Sequence, residues 1–159
     1  GHLAAATATL PLYDDPNDDL SISARPNALV LFNPAVVLAP ISEGFEFLGA
    51  GITNLNELMG VALESISPYH HVKSGVVPTI IFHGTADNIV PYKTVELFRE
   101  KMKAQGNPCL LVGYQGAGHG FFNYGRNNNA PFIDTVNKMD AFLVSLGYLK
   151  GAPETIHNK

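Results

Sequence analysis

Thr79-Ile80-Ile81-Phe82-His83-Gly84-Thr85-Ala86-Asp87-Asn88-Ile89-Val90-Pro91 is the stretch on which the reading of this chain turns. Its opening, Thr79 to His83, is a short run without alternation, ended by Gly84. Such a run fits a strand buried on both faces, as in a parallel sheet. Asp87 then falls just past the C-terminal end of that strand, where open α/β sheets bind their ligands.

Working downstream, Val95, Phe98 and Met102 follow helical spacing and predict a helix over 92–105, with Gly106 as its stop. A further strand is predicted over 109–114. Gly116, Gly118 and Gly120 break the loop after it and surround His119. Phe132, Val136, Met139, Phe142, Leu143 and Leu146 share one face of a last predicted helix, 131–146, closed by Gly147.

Upstream, Ala28-Leu29-Val30-Leu31-Phe32 is another continuous apolar run, stopped by Asn33-Pro34. The alanine-rich opening, 2–10, favours a helix packed closely on a sheet. Residues 11–26 are rich in Asp, Pro, Asn and Ser and read as a loop. Residues 35–75, punctuated by Gly44, Gly49, Gly51 and Gly60, read as an irregular excursion whose loops line a pocket, with room for a short helix over 55–63. The expected class is α/β, with about three parallel strands and flanking helices in one domain over 1–149 and a tail over 150–159.

The chain has 159 residues, 46% hydrophobic and 15% charged, which suits a globular domain with a sizeable core. Its formal charge of −4 gives no general affinity for nucleic acid or anionic membrane. Asp14, Asp15, Asp18 and Asp19, and separately Lys93, Arg99, Lys101 and Lys103, read as solvated faces. No apolar run is long enough to span a bilayer. The single cysteine, Cys109, excludes an internal disulfide and reads as a buried thiol. The sequence assigns no compartment.

Asp87 and His119 are the candidate catalytic residues. Alone, an Asp in a turn usually caps a helix, and a His in a glycine-rich loop has no special meaning. Together they follow adjacent predicted strands, whose spacing of about 5 Å lets their loops meet. A histidine can take a proton from a serine hydroxyl and return it to a leaving group. A carboxylate holds its tautomer and stabilises the imidazolium. His70-His71 is a weak metal candidate, because neighbours in extended chain point to opposite faces. The aspartate cluster lacks the ordered ligand spacing of a calcium loop. His83 reads as a hydrogen-bonding residue at a strand end. No cofactor or metal is implied.

His83-Gly84-x-x-Asp87-x-x-Val90-Pro91 followed by Gly118-His119-Gly120 resembles the acid and histidine segments of the α/β-hydrolase superfamily. Ser67-Pro68-Tyr69-His70-His71-Val72 and Arg25-Pro26-Asn27 through Asn33-Pro34 resemble it too. They are similar to the bacterial esterase and lipase branch that includes acetyl-xylan-esterase-like and feruloyl-esterase-like enzymes. The resemblance implies hydrolysis of a small ester or acylated carbohydrate by Ser, His119 and Asp87. In that branch the serine lies in a Gly-x-Ser-x-Gly-Gly-His-Leu-Ala-like elbow, and Gly1-His2-Leu3-Ala4 matches the end of that elbow. The expected serine falls three residues before Gly1, and no Gly-x-Ser-x-Gly occurs in the 159 residues. Gly1-His2 also reads as a purification scar. The chain is therefore expected to be the C-terminal part of an α/β-hydrolase, inactive alone, partnered by its N-terminal half or self-associated through an open sheet edge. Two alternatives stay open: a prolyl-oligopeptidase-type peptidase, and a hydrolase-like module that only binds.

Overall fold

The computed structural model describes residues 1–10, 13, 15–42, 45, 47, 54–152 and 155–156. Three parallel strands form one sheet: β1 (Leu29–Phe32), β2 (Thr79–Gly84) and β3 (Cys109–Tyr114), in the order β1-β2-β3. The register sets Leu29 beside Thr79 and Thr79 beside Cys109, so all three strands run out at one end of the sheet. Among the described residues the α-helices that accompany them are α1 (His2–Thr9), α2 (Leu55–Met59), α3 (Tyr92–Ala104) and α4 (Ala130–Ser145).

β2 is buried along its whole length, as its non-alternating run predicts, because helices cover both faces. Its residues still divide by the two-residue period. Ile81 joins Ala5 of α1 and Val95, Phe98 and Met102 of α3 in one apolar cluster. Ile80 and Phe82 join Phe121 of the loop after β3 and Phe142 of α4 in the other. Among the described strands, β1 and β3 each pair on one side only.

α3 ends as its sequence predicts. Gly106 has φ +75° and donates to Lys103 O, while Asn107 N–H reaches back to Met102 O. Asn107 then uses its side chain to hold Gly75 N–H and Lys73 O, fastening the approach to β2. α4 begins differently. Asn127, Asn128 and Asn129 all take positive φ, a region asparagine tolerates better than most residues, and the run turns the chain into the helix.

The excursion before β2 is irregular but not peripheral. Val36, Val37, Leu38 and Ala39 are buried, and Val36 O and Leu38 N–H bond to Tyr69 N–H and Ser67 Oγ. His70 and His71 lie in a 3₁₀ turn, Pro68–His71, not in extended chain. His70 Nδ1 meets Ser67 Oγ, and His71 Nε2 donates to Glu64 O. Gly44, Gly49 and Gly51 lie outside the described residues, as does Asp14 of the acidic cluster.

Asp15, Asp18 and Asp19 are exposed, and Asp15 and Asp19 hold their own turns through Asn17 and Ser21. Lys93 and Lys103 are exposed as expected. Arg99 and Lys101 are half-buried, and Lys101 lies over the Tyr69 ring. The aliphatic stems of such side chains cover apolar surface, which charge pattern alone does not reveal. No helix among the described residues is long and apolar enough to cross a membrane.

Candidate active site

The strand ends bring together side chains from three loops. Asp87 follows β2 in a tight turn and its side chain is fully buried. A buried carboxylate needs donors, and this one has them. Oδ1 accepts Ile89 N–H at 2.9 Å and Val90 N–H at 3.0 Å. Oδ2 accepts Asn33 Nδ2 at 2.9 Å and His119 Nδ1 at 2.8 Å. The two candidate residues named from sequence are thus in direct contact.

His119 is 36% exposed at its side chain while its partner is enclosed. Nδ1 spends its proton on the carboxylate, which leaves Nε2 as the acceptor of the ring. The flanking Gly116 and Gly120 have φ near +70° and carry the loop around the ring.

The two loops are stitched below the pair. Thr85 N–H donates to Tyr114 O, Ala86 N–H to Ala117 O at 3.0 Å, and Gly116 N–H to Thr85 Oγ1. Their approach leaves no room for a side chain at position 84. A Cβ on Gly84 would lie 2.2 Å from Ala117 O.

His83 is buried on the α3 side, edge-on to the Tyr92 ring. Nε2 donates to Val90 O at 2.9 Å and lies 3.3 Å from Asp87 Oδ2. Burial lowers its pKa, against the opposing pull of the Val90 carbonyl and Asp87. The ring is therefore neutral at ordinary pH and braces the turn that presents Asp87. Sequence reading gives His83 a bond to a neighbouring loop, and Val90 supplies it.

In the sequence Asn33 reads only as a strand stop. Its φ of +40° at the end of β1 turns its amide inward to Asp87 and, through Oδ1, to Gly120 N–H at 3.1 Å. No spacing rule in the sequence reveals that reach across the sheet. Gly1 and His2 are built into the fold. A Cβ on Gly1 would lie 2.7 Å from Pro34 Cα, and His2 Nε2 donates to Ile66 O at 2.8 Å.

Among the described residues no three His, Cys, Asp or Glu side chains gather as a metal site. Cys109 is buried in the α3 side of the core, and burial pushes its thiol pKa up to about 12. On the α4 side a cleft of about 220 Å³ opens between Phe32, Phe122, Tyr124, Phe132 and Val136.

A family model described as the prolyl oligopeptidase family matches residues 37–146, a span that contains both strand-end loops. The chain belongs to that family. Its fold is that of the α/β-hydrolases. Thermogutta terrifontis esterase 2 phosphonylated by sarin is 43% identical, with a TM-score of 0.90 over 95% of this chain and 55% of that chain. The butyrate-bound form of the same thermophilic esterase is 44% identical, with a TM-score of 0.81 over 94% of this chain and 55% of that one. A non-reducing polyketide synthase, Preu6 of Preussia isomera, is 32% identical over 95 residues, which are 58% of this chain and 4% of the synthase. The chain spans little more than half the length of the solved esterases it matches. The family carries a peptidase name and the solved relatives are esterases, so membership alone does not choose the bond that is cut.

Proposed function

We propose that Asp87 and His119 are the acid and base of a serine hydrolase that cleaves carboxylic esters through an acyl-enzyme. The carrying observation is the 2.8 Å contact of His119 Nδ1 with the enclosed Asp87 carboxylate, at the strand ends of a chain 43% identical to an esterase. In this reading Nε2 takes the proton of a serine hydroxyl as its oxygen attacks the ester carbonyl carbon. The tetrahedral intermediate collapses, the bond to the alcohol oxygen breaks, and the imidazolium gives that oxygen the proton. Water then attacks the acyl-enzyme by the same route and releases the carboxylic acid. Asp87 keeps the tautomer and stabilises the imidazolium throughout.

The serine belongs, on this proposal, to a segment preceding Gly1. Gly1 stands against Phe32 and Pro34, the neighbours of Asn33, whose side chain meets both Asp87 and Gly120. Chain entering α1 from that end arrives at the end of β1, beside the residue that holds Asp87. The unpaired side of β1 suits the strand that leads there, and is also where an N-terminal half or a second copy would add. The propionate- and butyrate-bound forms of the Thermogutta esterase favour a short acyl group, on a simple ester or an acylated carbohydrate.

The test is hydrolysis of p-nitrophenyl acetate and butyrate by the intact protein, beside a proline-containing peptide substrate. Asp87→Ala and His119→Ala should each lower kcat by about 10³-fold or more with the fold kept. Cleavage of the peptide but not the esters would move the chain to the peptidase side of its family. Absence of both, with no labelling by a fluorophosphonate, would leave a module that only binds.

A further inference from the structure

The side chain of Asn33 is buried where the loops after all three strands converge. It donates from Nδ2 to Asp87 Oδ2 at 2.9 Å and accepts Gly120 N–H on Oδ1 at 3.1 Å. The backbone behind it is held by Asn33 N–H to Phe82 O. β1 pairs with β2 and not with β3, so Asn33 is a tie from β1 to the histidine loop that sheet pairing does not provide. The amide orientation is fixed by its partners. A carboxylate must meet the NH₂ and a backbone N–H must meet the oxygen.

We infer that Asn33 is a positioning residue that sets the distance between acid and base, gripping the Asp87 carboxylate with one end of its amide and the residue after His119 with the other. The inference rests on the proposed roles of Asp87 and His119. The chemistry explains the residue type. The site needs one donor and one acceptor on a short, uncharged side chain. Serine lacks the span. Aspartate supplies the acceptor for Gly120 but sets a second carboxyl against the first, on the oxygen that His119 already holds. The titratable groups around this amide are Asp87, His119 and His83, the last lying 3.3 Å from the same carboxylate oxygen.

The experiment compares wild type, Asn33→Ala and Asn33→Asp in the intact protein, each checked for an unchanged thermal transition. Ester hydrolysis is followed across pH. Asn33→Ala should lower kcat by about 10- to 100-fold with KM within about twofold, since loss of alignment acts on the chemical step. Asn33→Asp keeps the Gly120 contact and adds negative charge beside the imidazole. The acid limb of its kcat/KM profile should move upward by on the order of one pH unit. Folded variants with wild-type kcat and a wild-type pH profile would overturn the inference. Asp87→Ala is the companion. If it keeps full activity, the catalytic reading itself fails, which is a separate outcome. Should neither Asn33 variant fold, the wild type still decides through its Asn33 side-chain NH₂ resonances. Slow exchange that is lost in Asp87→Ala supports the clamp, and fast exchange in wild type overturns it.

Discussion

The two faces of the sheet are built to different standards. On the α1 and α3 side, twelve buried residues form one cluster, among them Val36, Val37, Val95, Phe98 and Met102 with no exposed surface. On the α4 side the buried apolar residues among those described are Ile80, Phe82, Phe121 and Phe142, ten apolar neighbours are partly exposed, and an aromatic-walled cleft remains. The first face is closed by two helices, α1 and α3, both of which contribute to its cluster. The second depends on one helix and an aromatic loop. The strand-end pair sits between them, with the Asp87 carboxylate held by Asn33, Ile89, Val90 and His119, so its geometry does not wait on the open face.

Truncation tests this contrast most strongly. Phe98→Ala should destabilise the protein by about 3–5 kcal/mol, the cost of emptying a closed core. Phe132→Ala, on the wall of the cleft, should cost about half of that, because less area leaves water there. Urea unfolding of both variants in the intact protein gives the comparison. Equal losses would break it and would show the cleft filled by a further part of the chain.

A smaller effect is expected from pH. His83 lies on the closed face with its pKa lowered by burial, so the unfolded chain binds a proton that the folded chain refuses. Stability should therefore fall as pH drops below the ordinary histidine value of about 6.5, toward the depressed folded value. His83→Gln should flatten that slope in unfolding measured between pH 7.5 and pH 5, on the order of the two pH units through which such a group titrates. His70, also lowered first by desolvation, contributes in the same direction and leaves part of the slope in place. An unchanged slope would mean that His83 is not held neutral. The smallest signal is a null one. Cys109, buried on the same face with its thiol pushed up to about 12, should resist iodoacetamide until the protein unfolds. Prompt labelling of the native protein would show that this face opens.

Where local sequence decides structure, it can be read. The runs at 79–83 and 109–114 are strands, the spacing of Val95, Phe98 and Met102 marks α3, and Gly106 marks its end. The meeting of Asp87 and His119 is also legible, because each lies a few residues beyond a strand and parallel neighbours place such loops together. The features that escape are set by tertiary contact. Val36 to Ala39 carry no period, yet they are core. Asn33 is one polar residue after a strand until the sheet brings Gly120 beside it, 87 positions away in sequence. Arg99 and Lys101 look like surface charge in the sequence, and the packing of Lys101 on Tyr69 cannot be inferred from their order.

Strand polarity has a consequence for assembly. β1 and β3 run the same way, and each has one unpaired side among the described strands. Two copies joined through the same edge must meet antiparallel, about a two-fold axis, and the pairing closes on itself as a dimer. A copy joined β3 to β1 instead meets in parallel and leaves the same two edges free, so growth continues as a filament. Association of this chain would thus announce whether like or opposite edges are engaged. A single dimeric species reports one edge meeting its own counterpart, and a ladder of lengthening species reports the opposite edges in contact.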